Sequence, residues 1–370
     1  MRRPFIFRIF VLAFSGLVLM LFLGACAQVS SALTQSALPA AATQPPATEN
    51  ELLSEIPSSA TAMPTEAMAF NPPTGLIAYL DLDHQLWLMN TDGQNRHQLT
   101  QGGEASVPAW SPDGQTLAYI YQEKGSKERQ VVLYDISNQT RRFIGPAGEW
   151  LSQVVWSPDG RYLALDSGTG IARSLRIVEV ADQQVVRELE AIGYAWSPDG
   201  SWLALGQRHP LEHPLSVEPL DSVDLAVLKL DQEAPQLILE GTPHVLYFPR
   251  SWLPDGRLVY EKMDWDEESQ EGDRSLLAIS FEEGHFGEPQ PVEKLPPAYD
   301  RDAVLMRLPA EFRDIACGTF SWSPDGHWIA FHAGEWPAIS IYLFNWAKGA
   351  PPHRLIEGVS PRWQPLPEVP

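Results

Sequence analysis

An all-β ring of six four-stranded antiparallel blades, a six-bladed β-propeller, is the fold this sequence predicts. Three observations predict it: a turn signature that recurs five times, apolar strands flanking each copy, and chain ends that hold complementary parts of one blade.

The signature reads Trp110-Ser-Pro-Asp-Gly114, Trp156-Ser-Pro-Asp-Gly160, Trp196-Ser-Pro-Asp-Gly200, Trp252-Leu-Pro-Asp-Gly256 and Trp322-Ser-Pro-Asp-Gly326. Proline presets φ at the first central position of a turn, aspartate accepts local backbone hydrogen bonds, and glycine takes the conformation that closes a hairpin. The apolar run after each turn, such as 116–121 or 162–165, suits a strand covered on both faces. Two further strands follow each hairpin, 130–135 and 141–144 in one unit, 174–180 and 184–189 in the next. Each unit is then a blade of strands A to D, with the signature joining A to B. Trp-to-Trp spacings of 46, 40, 56 and 70 place inserted loops in the two longer intervals.

The ends supply the sixth blade. Residues 75–80, 85–90 and 96–100 read as strands B, C and D with no A, and Val359-Ser-Pro-Arg-Trp363 reads as a lone A strand. Pairing the two closes the ring and hides two sheet edges. An open or seven-bladed array is the alternative.

The unit resembles the PD40 (WD40-like) repeat of TolB-like propellers, over nearly all of residues 74–366. That resemblance implies a protein-binding role in the cell envelope. TolB-like proteins carry an α/β domain before the propeller, whereas this chain opens differently, so a specific Tol-Pal role is not implied.

Residues 1–25 hold Arg2, Arg3 and Arg8, no acid, and an apolar run from Ile9 to Leu23. This is the layout of a secretory signal. It ends in Leu23-Gly24-Ala25-Cys26, which resembles the lipobox of bacterial lipoproteins and marks Cys26 for lipidation; an uncleaved transmembrane anchor is the alternative. Either places the folded part outside the cytoplasm, on the cell membrane or outer membrane. A lipidated Cys26 leaves Cys317 without an intramolecular partner, with the role of a small buried apolar residue. Residues 26–73, rich in Ala, Ser, Thr, Pro and Gln, read as the lipidated cysteine and a disordered tether with a mean reach of about 35–40 Å. The propeller follows over 74–366, then a tail of 367–370.

Loss of the signal lowers 26 basic residues to 23 against 47 acidic ones, a net charge of −24. Such a surface repels phosphate backbones, which excludes nucleic acid as a partner.

Catalytic and cofactor signatures are absent: no Gly-x-Ser-x-Gly elbow, Walker loop, dinucleotide fingerprint or Cys/His zinc spacing. No cofactor or metal is expected. The turn carboxylates Asp113, Asp159, Asp199, Asp255 and Asp325 repeat identically and so serve blade construction. The signature tryptophans and Trp363 pack between blades. Asp264, Asp266 and Glu268 have calcium-loop spacing but lack the glycine and bidentate glutamate that such a loop needs. His209 and His213 flank Glu212, but Pro210 and Pro214 break the helix that chelation would require.

In such a blade the B-to-C and D-to-A connections share one end. The insertions 122–129, 207–222, 261–274 and 295–317 all fall there, leaving tight turns at the opposite end. Long loops on one side of a rigid scaffold are where recognition concentrates. Trp150, Arg208, His209, His213, Trp265, Asp266, Tyr299 and Trp336 are the candidate binding residues, and the acidic loop 261–274 biases the face toward cationic partners. The expected function is a membrane-anchored, extracytoplasmic, non-enzymatic scaffold that binds an envelope protein, peptide or glycan. A glycan hydrolase or lyase, or a structural spacer in an envelope complex, is the alternative.

Overall fold

The computed structural model describes residues 70–169, 172–209, 222–242, 244–266, 271–282 and 284–365. The fold is all-β, built of four-stranded antiparallel sheets. Sheet I begins with β1 (Leu76–Leu80), β2 (Leu86–Asn90) and β3 (His97–Gln98). Sheet II is β4 (Gly103–Trp110), β5 (Thr116–Glu123), β6 (Arg129–Asp135) and β7 (Thr140–Gly148). Sheet III is β8 (Leu151–Trp156), β9 (Tyr162–Thr169), β10 (Ala172–Glu179) and β11 (Val185–Glu190). Sheet IV is β12 (Tyr194–Trp196), β13 (Trp202–His209), β14 (Ser222–Lys229) and β15 (Gln236–Leu239).

Sheet V holds β16 (Val245–Trp252), β17 (Leu258–Asp266) and β18 (Glu271–Ile279); a small hairpin, β19 (Phe281–Glu282) and β20 (His285–Phe286), precedes its fourth strand, β21 (Gln290–Pro291). A 3-10 turn (Pro297–Tyr299) and helices α1 (Arg301–Arg307) and α2 (Ala310–Arg313) lead to sheet VI. That sheet is β22 (Ala316–Trp322), β23 (Trp328–Ala333), β24 (Ser340–Asn345) and β25 (His353–Glu357). The last strand, β26 (Val359–Trp363), returns to pair antiparallel with β1, setting Trp363 opposite Ile77.

The signature forms the same turn each time. In sheet II the Gly114 amide donates to the Ser111 carbonyl at 2.8 Å, and the Ser111 hydroxyl donates to Asp113 Oδ1 at 2.5 Å while accepting from the Thr116 amide. Sheets III, IV and VI repeat this through Ser157–Asp159, Ser197–Asp199 and Ser323–Asp325. Glycine is required because its φ lies near +70° in these turns, the left-handed region that a Cβ disfavours. In sheet V, where Leu253 replaces serine, the Arg257 guanidinium donates to Asp255 at 2.9 Å instead and holds its carboxyl below the usual range.

The inner-strand tryptophans lock one sheet to the next. The Trp110 indole N–H donates to the Arg362 carbonyl (3.0 Å), Trp156 to Ala109 (3.1 Å) and Trp252 to Ala195 (3.1 Å). Each acceptor is the residue just before the tryptophan of the preceding sheet. Apolar clusters join the same neighbours: Tyr119 and Leu117 meet Ala78 and Leu80 between sheets I and II, and Tyr79 and Met89 meet Ala330 and Leu343 between I and VI.

The seam between sheets V and VI is built differently. Ala330 and Leu343 face sheet I, so Ile329, Phe331 and Phe344 face the other way, where Val304 of α1, Leu308 just after it and Phe312 of α2 cover them. On sheet V, Val259 and Ala278 are covered by Val292 and Leu295. Among the described residues no apolar cluster joins the two sheets directly; the 292–313 segment covers both facing surfaces. Trp322 accordingly packs on Trp346, in the turn after β24, with ring centroids 5.2 Å apart.

Cys317 departs from expectation. It is half-buried and disulfide-bonded.

Candidate recognition face

In an antiparallel sheet of order A-B-C-D, the B-to-C and D-to-A connections leave the same end. Three candidate aromatics stand exposed there: Trp150 between β7 and β8 (61% exposed), Tyr299 in the 3-10 turn (40%) and Trp336 between β23 and β24 (67%). Arg208 is half-buried on β13, and His209 ends that strand. His213, with 210–221, lies outside the described residues.

Trp265 and Asp266 are on a strand, which corrects the expected loop at 261–274. Strands β17 and β18 pair continuously from Leu258↔Ile279 to Asp266↔Glu271, because each added residue extends the hydrogen-bonded ladder. Only 267–270 separates them. Trp265 is consequently half-buried, and Glu261 is buried against the Arg250 guanidinium and Arg274 Nη1 (3.2 Å). An acidic solvated loop is therefore not what residues 261–266 form.

The opposite end also differs from expectation. Hairpin β19–β20 grows from the β18-to-β21 connection, at the end assigned only tight turns. Phe281 is the reason it folds back: its ring centroid lies 4.8 Å from Trp202, 5.3 Å from Trp252 and 4.9 Å from Phe286. Those contacts bury apolar surface between sheets IV and V.

The structure sets at one register position ionisable residues that the sequence reading missed. Pairing each B strand on its signature tryptophan gives Trp156↔Leu163, Trp252↔Leu258 and Trp322↔Ile329. Three residues further along stand Asp166, Glu261 and His332, all buried. The equivalent residues of sheets I, II and IV are Leu80, Ile120 and Gly206, each three residues after the partner of Trp363, Trp110 or Trp196. The signal was legible: a single polar residue closes each of the apolar runs Leu163-Ala-Leu-Asp166, Leu258-Val-Tyr-Glu261 and Ile329-Ala-Phe-His332.

Each of the three is held differently. Burial raises the Asp166 carboxyl above its ordinary pKa, opposed by the Arg173 guanidinium at 2.7 Å. The buried Tyr194 hydroxyl nearby has no hydrogen-bond partner among the described residues, and burial with the Asp166 charge raises its pKa. Burial, then the charges of Arg362 and Arg301, lowers His332 to about 4. Its Nδ1 accepts from the Ser360 amide at 3.3 Å, which suits a neutral ring. Among the described residues no cluster of His, Cys, Asp or Glu is suited to hold a metal ion, and no helix is long and apolar enough to cross a membrane.

Comparison with known proteins places these features in context. Residues 78–211 match the family model described as eukaryotic translation initiation factor eIF2A, a span that ends in the connection after β13. A Bacillus subtilis (strain 168) protein named uncharacterized peptidase YuxL is 28% identical over 110 residues, which is 29% of this chain and 16% of that protein. The match thus spans about a sixth of that relative's length. The solved structure of TolB from Acinetobacter baumannii is 16% identical, with a TM-score of 0.45, covering 79% of this chain and 67% of that one. The tricorn protease structure is 11% identical with a TM-score of 0.52, covering 78% of this chain and 34% of that chain, and at this identity the likeness is one of fold.

Proposed function

We propose that the chain is a membrane-tethered, extracytoplasmic recognition module: a closed six-bladed propeller whose B-to-C and D-to-A end binds an envelope protein, peptide or glycan. The carrying observation is the exposure of Trp150, Tyr299 and Trp336 at that end, above a buried layer of Asp166, Glu261 and His332. Exposed aromatics on a rigid scaffold are efficient binding anchors, since they bring large contact area with little loss of conformational freedom. Ring closure is supported by the pairing of β26 with β1 and by the clusters that link sheet I to both II and VI. In this reading the 292–313 segment fills the remaining seam as a wedge.

The test is a double variant, Trp150→Ala with Trp336→Ala, compared with Glu282→Ala at the opposite end, in capture from envelope extracts. The reading expects the first to lose a partner that wild type and the second retain; equal capture by all three refutes it. For the anchor, Cys26→Ser is expected to release the protein from membranes, and intact mass is expected to show an acylated Cys26. With two cysteines in the chain, the disulfide at Cys317 is compatible with a thioether at Cys26 only if it joins another chain, so an intact mass without acylation refutes the anchor.

A second reading, an enzymatic role, is favoured by the similarity to a protein named a peptidase. It expects peptide or glycan turnover that is lost on Asp166→Asn or Glu261→Gln while folding is retained.

A further inference from the structure

Two guanidinium groups converge on the inner strand of sheet VI, at the end that carries the exposed aromatics. Arg362, on β26, donates through Nη1 to the Thr319 hydroxyl and through Nε to the Pro108 carbonyl (3.2 Å). It thereby bridges sheets VI, I and II at their inner edges. Arg301, the first residue of α1, donates through Nη2 to the Ala316 carbonyl (3.1 Å) and through Nε to the Gly318 carbonyl (3.4 Å), and stacks over the Phe320 ring. His332 lies within electrostatic reach of both.

All hydrogen-bond acceptors of these two arginines are neutral. Among the described residues no carboxylate lies within 4.0 Å of either guanidinium, although the chain carries 47 acidic residues. Elsewhere the fold does compensate its partly buried charges: Arg173 meets Asp166, and Glu261 meets Arg250 and Arg274. A cation without a counter-charge is costly in a low-dielectric setting. Burial holds the Arg362 guanidinium below its ordinary pKa, yet the residue keeps partial solvent exposure. The Thr319 and Gly318 positions beside it are exposed, so the corner is reachable from solvent. His332 adds no charge near neutral pH and offers its Nε2–H as a third donor, because Nδ1 is already an acceptor.

We propose that Arg362, Arg301 and the Thr319 hydroxyl form an anion subsite that takes a carboxylate group of a ligand entering from the recognition face. It rests on the recognition reading for the ligand's origin. A carboxylate fits because one monovalent anion compensates the buried guanidinium, and because Arg362 Nη2 and Arg301 Nη1 are the guanidinium nitrogens that donate to none of the described residues, Arg362 Nη1 being taken by Thr319 and the Pro361 carbonyl (3.4 Å), which leaves one charged donor on each arginine for the two carboxylate oxygens.

Acetate is the probe, titrated into the whole chain at constant ionic strength and followed by NMR or calorimetry, with sulfate and phosphate as parallel arms. Wild type is expected to bind acetate saturably. Arg301→Gln should weaken binding about tenfold, the loss that follows removal of one charged hydrogen-bond donor, and Arg362→Gln should abolish it. Because Arg362 also ties sheets together, Arg301→Gln, at an exposed helix start, keeps the test decisive if Arg362→Gln fails to fold. Absence of acetate binding by folded wild type overturns the subsite, as does wild-type affinity in Arg301→Gln. Equal or tighter binding of sulfate or phosphate overturns the assignment to carboxylate. No macromolecular partner enters this titration, so its failure leaves the partner-capture result standing, and failure of partner capture leaves the subsite standing.

Discussion

Replacing Trp156 and Trp196 separately with phenylalanine tests the rungs that join the sheets. The two indoles sit in equivalent places and are equally buried, 9% and 8% exposed. Trp156 donates to the Ala109 carbonyl at 3.1 Å, whereas the Trp196 indole N–H has no partner among the described residues. Both substitutions lose the same ring atoms, at a common packing cost of roughly 1–2 kcal/mol. Trp156→Phe also breaks a hydrogen bond and leaves a carbonyl short of a donor, a further cost of about 1–3 kcal/mol. Trp196→Phe removes a donor that was buried unsatisfied, so it carries no such cost. Trp156→Phe is therefore expected to be less stable than Trp196→Phe by about 1–3 kcal/mol, read as a lower urea midpoint at unchanged slope. At this size each kcal/mol corresponds to roughly 2–4 °C in Tm. If the two variants agree within about 0.5 kcal/mol, the ordinary limit of additivity, the rungs do not stabilise the stack.

Two further perturbations follow from the same structure. His332 is held neutral, with its pKa lowered to about 4 from 6.5, so the unfolded chain binds the extra proton between those values. Stability from this group is whole above pH 6.5 and falls as pH drops, by about 3 kcal/mol at pH 4; urea midpoints across this range should fall more steeply for wild type than for His332→Gln, and parallel slopes would refute the assignment. Phe281→Ala should cost about 2–3 kcal/mol by stripping the half-buried ring from Trp202 and Trp252, with protease cutting near residue 284 as the local readout; an unchanged midpoint and cutting pattern would show that hairpin β19–β20 does not brace sheets IV and V.

What the sequence determined on its own is the repeating unit. A Ser-Pro-Asp-Gly turn is a short-range object whose partners lie within five residues, so its chemistry is complete in the motif, and the strands it joins follow from it. The complementary ends were legible for the same reason: three strands without an A at one terminus and an A strand without partners at the other are local patterns that need only be counted. Tertiary structure decided what depends on residues far apart in the chain. Asp166, Glu261 and His332 form one layer only once three strands are set on a common register. The 292–313 segment reads as a loop until the uncovered faces of sheets V and VI show what it must bury. Arg362 looks like an ordinary strand residue beside Trp363; its meaning comes from Thr319 and from Pro108, 254 positions away. Contacts of that range are set by how sheets pack rather than by which turn joins two strands, and no spacing within a single repeat encodes them.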